Sequence, residues 1–448
     1  MAFSFLLILL TSHHWQTFSK SPTNRGMSIA PGLAKCVAAI ARFSGLSTFF
    51  MVIAAGYWGP GNPLLNLAPN FIWIIWWLGF SITISLFGNF WPICDPWAVL
   101  SDIFQRFART LGAKEVFEKP FFIFPKWLGL YLVTVFLLAW SWMEVVYPIA
   151  FVPARVATIA LLWTALNLLG MFLFGKAQWQ KRGDIFSLYF SMLGQFGIFT
   201  FCKKTSTLKL RLPGEGILLD SNLWQSVNGV AAFIIAMLSI VLFDGLHGSS
   251  AWELFVKLIQ ILGFIQLSSS DYALGTIGLL FVWLFFLGLF YISCLISSQF
   301  TSISASHLTN VFSAALIPIA VAYLFAHNFS SLAIQGQSMI FLASDPLGWG
   351  WDLFGTANFH PNIGLIDART TWYFAVTSIV LGHIIALLLN HFIAMRIVGS
   401  TRMVALMTIP QTILMIMFTM LSLVIIAEPM TTSEISFLQQ LCITNEVQ

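Results

Sequence analysis

The sequence predicts an all-α protein, a polytopic bundle of about nine transmembrane helices. Of its 448 residues, 58% are hydrophobic and only 8% are charged, and the mean hydropathy is +0.86. Soluble domains contain about 25% charged residues, so a soluble fold is excluded. Several apolar runs approach the roughly 20 residues that a helix needs to cross a bilayer, whereas barrel strands would be segments of about 10 alternating residues. The lipid bilayer is therefore the first predicted partner.

The apolar runs define a transmembrane helical domain over residues 33–427, in which the later spans, 223–427, are the more polar. Residues 1–32 are a predicted N-terminal extension, within which Met27 is an alternative start, and residues 428–448 are a predicted external tail. The nine predicted spans cover residues 33–56, 69–92, 127–147, 150–174, 223–243, 272–297, 308–333, 370–395 and 403–427.

Basic residues predict the orientation of the bundle. Short cytoplasmic loops are enriched in Lys and Arg. With the N-terminus in the cytoplasm, 18 of the 21 basic residues lie on the cytoplasmic side, and only Arg155, Lys257 and Arg369 lie outside. The C-terminus is then external. These basic residues anchor the ends of spans, so the net charge of +4 does not predict a nucleic-acid partner.

Three further segments have predicted roles that do not require crossing the membrane. Residues 185–201 are apolar but are flanked by basic residues at both ends, which predicts an interfacial or re-entrant helix. The alternative for this segment is a further span. Residues 98–111 have the apolar spacing of an amphipathic helix on the cytoplasmic surface. Trp73, Trp76 and Trp77 follow an outer turn and predict an interfacial aromatic belt.

Polar residues in the later spans predict a functional path. Polar groups in hydrocarbon are costly unless they face a bundle interior or a cavity. In an antiparallel arrangement, His327 and His383 differ in depth by about 10 Å, because a helix rises about 1.5 Å per residue. They would then be successive stations rather than joint ligands, and the alternative is that each histidine links helices by hydrogen bonds. The predicted path residues are His327, Asn328, Gln335, Gln337 and His383. Near the inner surface, His307 and His391 could form a direct pair.

The outer loop between the two histidine-bearing spans contains carboxylates and a histidine. Together with two residues predicted for a neighbouring outer loop, they form a candidate site for Zn²⁺ or another divalent metal, although their spacing matches no known signature. The alternative is a packed cap whose aspartates lie in turns. The candidate ligands are Asp244, His247, Asp345, Asp352 and His360.

The later part of the chain contains the phrases FDGL at 243–246, AHN at 326–328, QGQ at 335–337, SDPLGWGW at 344–351, LFGTA at 353–357 and VLGH at 380–383. With these phrases the chain resembles a family of bacterial multi-pass membrane proteins, some of whose members are labelled fenitrothion hydrolase. The resemblance covers roughly residues 30–430 and is most specific in the last third. It implies the same fold, a location in the bacterial inner membrane and, from the label alone, phosphotriester hydrolysis.

Three functions are compatible with these patterns. The favoured one is a permease-like protein that moves a small solute or ion along the polar later spans, because the polar residues extend through the depth of those spans. The first alternative is a membrane-embedded metal-dependent hydrolase with its site at the outer face. The second alternative is an accessory subunit of a larger membrane complex. Metal analysis of the purified protein separates the hydrolase from the other two.

Overall fold

The computed structural model describes residues 26–112, 120–147, 149–202, 206–219, 227–261, 271–398 and 400–427. Residues 1–25 of the predicted extension and the whole predicted tail lie outside this part of the chain. The main helices, in chain order, are α1 Pro31–Trp58, α2 Leu67–Phe87, α3 Pro96–Thr110, α4 Tyr131–Val145, α5 Pro153–Phe174, α6 Lys176–Arg182, α7 Ile185–Gly194, α8 Glu215–Leu219, α9 Val230–His247, α10 Ser250–Ile261, α11 Asp271–Ser298, α12 Ala305–Ser313, α13 Ile317–Gln335, α14 Met339–Ser344, α15 Ala368–Val398 and α16 Thr401–Ala427.

The all-α polytopic fold class is confirmed. Eight of the described helical segments are long and apolar enough to cross a membrane. The third predicted span is the shorter α4, with 15 residues. It runs alongside α9: the Leu130 N–H donates to the Asn228 carbonyl (2.8 Å) where both helices begin, and Glu144 and Asp244 line one cavity near their ends. Helix α4 therefore runs parallel to α9, although it is shorter than the eight helices that are long enough to cross a membrane.

Contacts between loops define two ends of the bundle. Strands β1 (Gly26–Ser28), β2 (Phe199–Cys202) and β3 (Thr207–Leu210) form an antiparallel sheet in the order β1-β3-β2. The sheet joins the chain before α1 to the segment after α7 at one end, which we call the inner end. At the outer end, Gly348 packs against Pro60. This grouping agrees with the sides predicted from the basic residues, and which end faces the cytoplasm stays a prediction.

The two histidine-bearing helices α13 and α15 pack against each other in antiparallel register. Phe329 and Phe374 stack with ring centroids 3.9 Å apart, and Gly382 lies against Ala322. This is the register used above to compare the depths of His327 and His383. The predicted span 308–333 is realised as α12 and α13, separated by a 3₁₀ turn just before Pro318. A proline fits the first turn of a helix, where its missing N–H leaves no hydrogen bond broken.

Helix α7 matches the re-entrant helix predicted for residues 185–201, and it is too short for the alternative of a span. It has 10 residues, eight of them buried, and Phe186 packs among aromatic rings of the bundle core. Arg211 donates to the carbonyls of Gly194 and Gly197. These bonds hold the segment that follows α7 at the inner end of the bundle.

The predicted aromatic belt is wrong for the tryptophans of α2. Trp73, Trp76 and Trp77 are buried, and they pack around Trp140 and Phe186 in the bundle core. They lie on a π-helical stretch of α2, Asn70–Phe80. The re-entrant helix provides the aromatic partners that bury them, and a pattern of tryptophans along one span does not reveal that helix.

Candidate functional site

An ion pair joins α9 to α13 within the bundle. The His327 Nε2 atom lies 2.7 Å from an Asp244 carboxylate oxygen. Sequence analysis assigned Asp244 and His247 to an outer loop, and this is wrong, because α9 continues to His247 and ends at Gly248. The predicted span was displaced toward the N-terminus, since α9 begins only after Gly229, whose φ of +84° lies in the left-handed region. The later start places Asp244 on the helix.

A second carboxylate, Glu144, completes the site from α4. The Trp77 indole N–H donates to Glu144 Oε2 (2.8 Å), and Trp77 stacks on Tyr189 of the re-entrant helix. Glu144 and Asp244 line the same cavity of ≈ 20 Å³, with Tyr189 and Asn328 also in its wall. This volume is enough for one water molecule. We call Glu144, Asp244 and His327 the acid–histidine site.

Sequence analysis missed Glu144, although a signal for it was present. Glu144 is the only acidic residue within the nine predicted spans. An ionisable residue inside a membrane span is costly and marks a functional position by default. The prediction followed clusters of polar residues in the later spans, and so it passed over an isolated carboxylate in an earlier, apolar one.

The acid–histidine site is open on one side. The side chain of Asp244 is 38% exposed, whereas that of His327 is 16% exposed. Asp244 lies in the last turns of α9, which end toward the outer end of the bundle. Two carboxylates and one imidazole on three helices can bind and release a proton.

Between this site and the inner end, buried polar atoms recur along α15 and α16. The His383 Nδ1–H donates to the Ile379 carbonyl (2.8 Å), which leaves Nε2 as an acceptor without a partner in the described chain. Asn390 and His391, both about two turns further along α15, are buried, and neither side chain has a hydrogen-bond partner among the described residues. Buried polar groups in proteins are normally paired with protein or ordered water. These buried atoms therefore retain hydrogen-bonding capacity that the described side chains do not use.

A further polar group lies at the inner ends of α11 and α16. Gln411 Nε2 donates to Ser297 Oγ (2.8 Å), and Ser297 donates to the Met407 carbonyl (2.7 Å). Gln411 Oε1 has no partner in the part of the chain that the structure describes. Sequence analysis did not select Gln411, although it is the one amide side chain within the predicted span 403–427.

The other predicted path residues have different surroundings. Asn328 is buried in the wall of the small cavity, and its Nδ2 donates to the Leu324 carbonyl (3.2 Å). Gln337 exchanges hydrogen bonds with the backbone of Asn362 and thereby holds the outer loop. Gln335 is exposed. The predicted pairing of His307 with His391 is not formed: His307 is exposed, and neither ring nitrogen of the buried His391 has a partner among the described residues.

The outer-loop carboxylates act as turn caps. Asp345 accepts from the backbone N–H groups of Trp349 (2.9 Å) and Gly350 (2.6 Å). Asp352 accepts from the Ala357 N–H and the Ser344 hydroxyl, both at 2.9 Å, and these bonds lower the pKa of Asp352.

The predicted metal ligands are dispersed. His360 is exposed, His247 packs between Phe243 and Trp252, and Asp244 pairs with His327. Over the described residues, no three His, Cys, Asp or Glu side chains are close enough together to hold a metal ion. Divalent metal binding by Asp244, His247, Asp345, Asp352 and His360 stays a prediction that these contacts do not support.

The chain was compared with protein-family models, curated proteins and solved structures. No family model, curated protein or solved structure matches it. The resemblance to the family with fenitrothion hydrolase labels therefore stays a prediction. What the chain itself establishes is a helical bundle built to lie in a membrane, with ionisable groups in its interior.

Proposed function

We propose that the protein is a permease-like membrane protein that couples proton binding at the acid–histidine site to movement of a small solute through its later helices. The observation that carries the proposal is the convergence of Glu144, Asp244 and His327 from three helices inside the bundle. Ionisable residues within membrane spans are costly and usually mark functional positions. Three such residues that meet from three helices are difficult to explain by packing alone.

Proton exchange suits the geometry of this site better than tight cation binding. Asp244 is already paired with the His327 imidazole, and Glu144 accepts from the Trp77 indole. These contacts leave few free oxygens, and hard cations such as Ca²⁺ require six to eight. Two carboxylates around one small cavity repel each other when both are ionised, so uptake of one proton relieves the repulsion.

The route for the solute is supported by the unpaired polar atoms toward the inner end. His383, Asn390, His391 and Gln411 are buried and retain donors or acceptors without partners in the described chain. A polar solute or water that satisfied these atoms would cross the inner half of the bundle. The acid–histidine site would control access from the outer half.

The test uses the proton as its probe, because the solute is unidentified. Proteoliposomes adsorbed on a solid-supported membrane receive a step to more acidic buffer, and the charge displaced by proton uptake is recorded. Wild type is expected to give a transient current. Glu144→Gln and Asp244→Asn should each reduce the displaced charge to the level of protein-free liposomes.

Glu253→Gln is the matched control, since Glu253 lies exposed on α10, and its displaced charge should equal that of wild type. A sodium step at constant pH should give no current. Unchanged charge displacement in folded Glu144→Gln protein, or a current driven by sodium alone, would contradict the proposal.

The two alternative functions have less support from the arrangement of side chains. A metal-dependent hydrolase needs several converging ligands and an open coordination position, and the predicted ligands are dispersed among turns and an ion pair. Stoichiometric metal in the purified protein would favour it. An accessory-subunit role has no specific contact in its favour, and co-purification of a stoichiometric membrane partner is its test.

A further inference from the structure

A second and much larger cavity lies between α1 and the aromatic core of the bundle. Its volume is ≈ 410 Å³, within the range of about 300–1,000 Å³ that is typical of small-molecule sites. Residues of α1, α2, α3, α4, α5 and α7 line it, together with the segment 90–94 that precedes α3. Six tryptophans contribute to the wall: Trp73, Trp76, Trp91, Trp97, Trp140 and Trp163.

The wall of this aromatic cavity restricts the charge and shape of a ligand. None of the residues that line it is Asp, Glu, Lys, Arg or His. A charged ligand would therefore be buried without a counter-charge, which costs several kcal/mol or more. Indole and phenyl faces stack favourably on flat rings. The cavity thus suits a neutral, planar molecule.

Unpaired hydrogen-bond donors specify the ligand further. The indole N–H groups of Trp73 and Trp97 have protein acceptors, but those of Trp91, Trp140 and Trp163 have none among the described residues. An indole N–H can only donate. These nitrogens are enclosed by neighbouring atoms, so a ligand reaches one of them only if it turns an indole ring toward the cavity. We infer that the aromatic cavity binds a neutral, planar ring compound that carries a carbonyl oxygen as acceptor.

The contacts of α1 explain how such a ligand enters. Gly45 and Gly56 bring α1 close to the bundle: a Cβ atom would lie 2.1 Å from the Cys94 carbonyl oxygen at Gly45, and 2.8 Å from the Pro153 carbonyl oxygen at Gly56. Between these two contacts, α1 passes over the cavity. Only four of its 28 residues are buried. A lipophilic ligand can therefore reach the cavity from the bilayer beside α1.

This inference goes beyond proton-coupled transport and does not rest on it. The test measures the rise in unfolding temperature of the full chain in detergent with three probes of one shape: methyl naphthyl ketone, ethylnaphthalene and naphthoate. A ligand that binds only the folded state raises stability in proportion to its affinity. The ketone should bind about two- to tenfold more tightly than ethylnaphthalene, as expected for one net hydrogen bond. Naphthoate should not bind.

Substitutions in the wall of the aromatic cavity test whether the preference for the ketone over ethylnaphthalene arises there. Trp140→Phe should remove the preference for the ketone, and Trp163→Phe tests the same type of donor if the first variant does not fold. Trp349→Phe, in the exposed outer loop, is the matched control and should retain the preference. Ala160→Phe adds a ring to the wall and should abolish binding of both neutral probes.

Three results would overturn the inference. Equal binding of ketone and ethylnaphthalene to wild type would indicate an apolar gap filled by any hydrocarbon. Binding of naphthoate as tight as that of the ketone would reject a site for neutral ligands. Unchanged binding in Ala160→Phe would place the probes elsewhere on the protein.

Discussion

His383 illustrates at the scale of one residue how a buried polar group can serve function at a cost to stability. Its side chain is fully buried, Nδ1–H is bonded to the Ile379 carbonyl, and Nε2 has no partner in the described chain. An unsatisfied buried acceptor costs about 1–3 kcal/mol. The path proposed here requires Nε2 to meet water or solute, whereas a role in helix packing would require a protein partner.

His383→Leu is therefore expected to leave the thermal stability unchanged or to raise it, while charge displacement is lost. Leucine is close in size to histidine and removes the unsatisfied acceptor. Thermal unfolding and the proton-step current are measured on the same preparation. His360→Leu, in the exposed outer loop, is the matched control for both measurements. Loss of stability with an intact current per folded molecule would assign His383 to packing.

Asp184 provides a residue-scale prediction of pH dependence outside the spans. It caps the re-entrant helix α7 by accepting from the N–H groups of Phe186 (3.2 Å) and Ser187 (3.3 Å). Burial, followed by the nearby Asp95 carboxylate, raises the pKa of Asp184 from its ordinary value of 3.8. The folded state then binds more protons than the unfolded state. The contribution of Asp184 to the stability of the folded state is therefore greatest below its ordinary pKa. This contribution falls as the pH rises through the raised pKa.

Asp184→Asn keeps a good helix cap and removes the charge. The variant should unfold at a higher temperature than wild type in alkaline buffer, and the difference should shrink as the pH falls. Thermal unfolding across a pH series measures this. Asp367→Asn is the control, and its effect on stability should depend on pH in the opposite direction. The reason is that hydrogen bonds from Thr370 lower the pKa of the exposed Asp367. A pH-independent difference for Asp184→Asn would contradict the assignment.

At the scale of helices, the close approach of α13 and α15 depends on Gly382. A Cβ atom there would lie 2.3 Å from the Ala322 Cβ and 2.8 Å from the Pro318 carbonyl oxygen. Gly382→Ala should therefore destabilise the protein by about 1–3 kcal/mol, as overpacking does elsewhere. The midpoint of chemical or thermal unfolding measures the loss.

Gly288→Ala on α11 is the matched control for the same chemical change. A Cβ atom at Gly288 meets nothing within 4 Å, and alanine is the better helix former by about 1 kcal/mol. This variant should be as stable as wild type or more so. If Gly382→Ala were as stable as wild type, α13 and α15 could move apart without loss of stability. That result would contradict the close packing of the two helices at Gly382.

At the scale of the whole molecule, the prediction concerns orientation. The sheet places Leu210 at the inner end with the chain before α1, and Gly350 lies in the loop at the outer end. With the basic residues in the cytoplasm, a fluorescent-protein fusion after Leu210 should fluoresce, and an alkaline phosphatase fusion after Gly350 should be active. A fluorescent-protein fusion after Gly350 should not fluoresce, and an alkaline phosphatase fusion after Leu210 should be inactive. Activity of the phosphatase after Leu210 would reverse the orientation and the direction of the proposed path.

The sequence by itself determined the membrane class, the helical spans and their antiparallel order, because these depend on apolar length and on basic residues that are local properties of the chain. It also located the polar later helices, and the depth difference between His327 and His383 follows from helix rise alone. The apolar pattern did not determine where each span begins and ends. The later start of α9 moved Asp244 from a loop onto a helix, since the apolar pattern does not mark the left-handed turn at Gly229.

Only the tertiary structure decided which side chains meet. Glu144, Asp244 and His327 lie far apart along the chain, and their convergence depends on α4 running parallel to α9 and on α13 packing beside it. The re-entrant helix α7 likewise buries in the bundle core a row of tryptophans on α2 that were predicted to form an interfacial belt. Contacts of this kind arise from the packing of distant helices, and the periodicity of a single span contains no information about its neighbours.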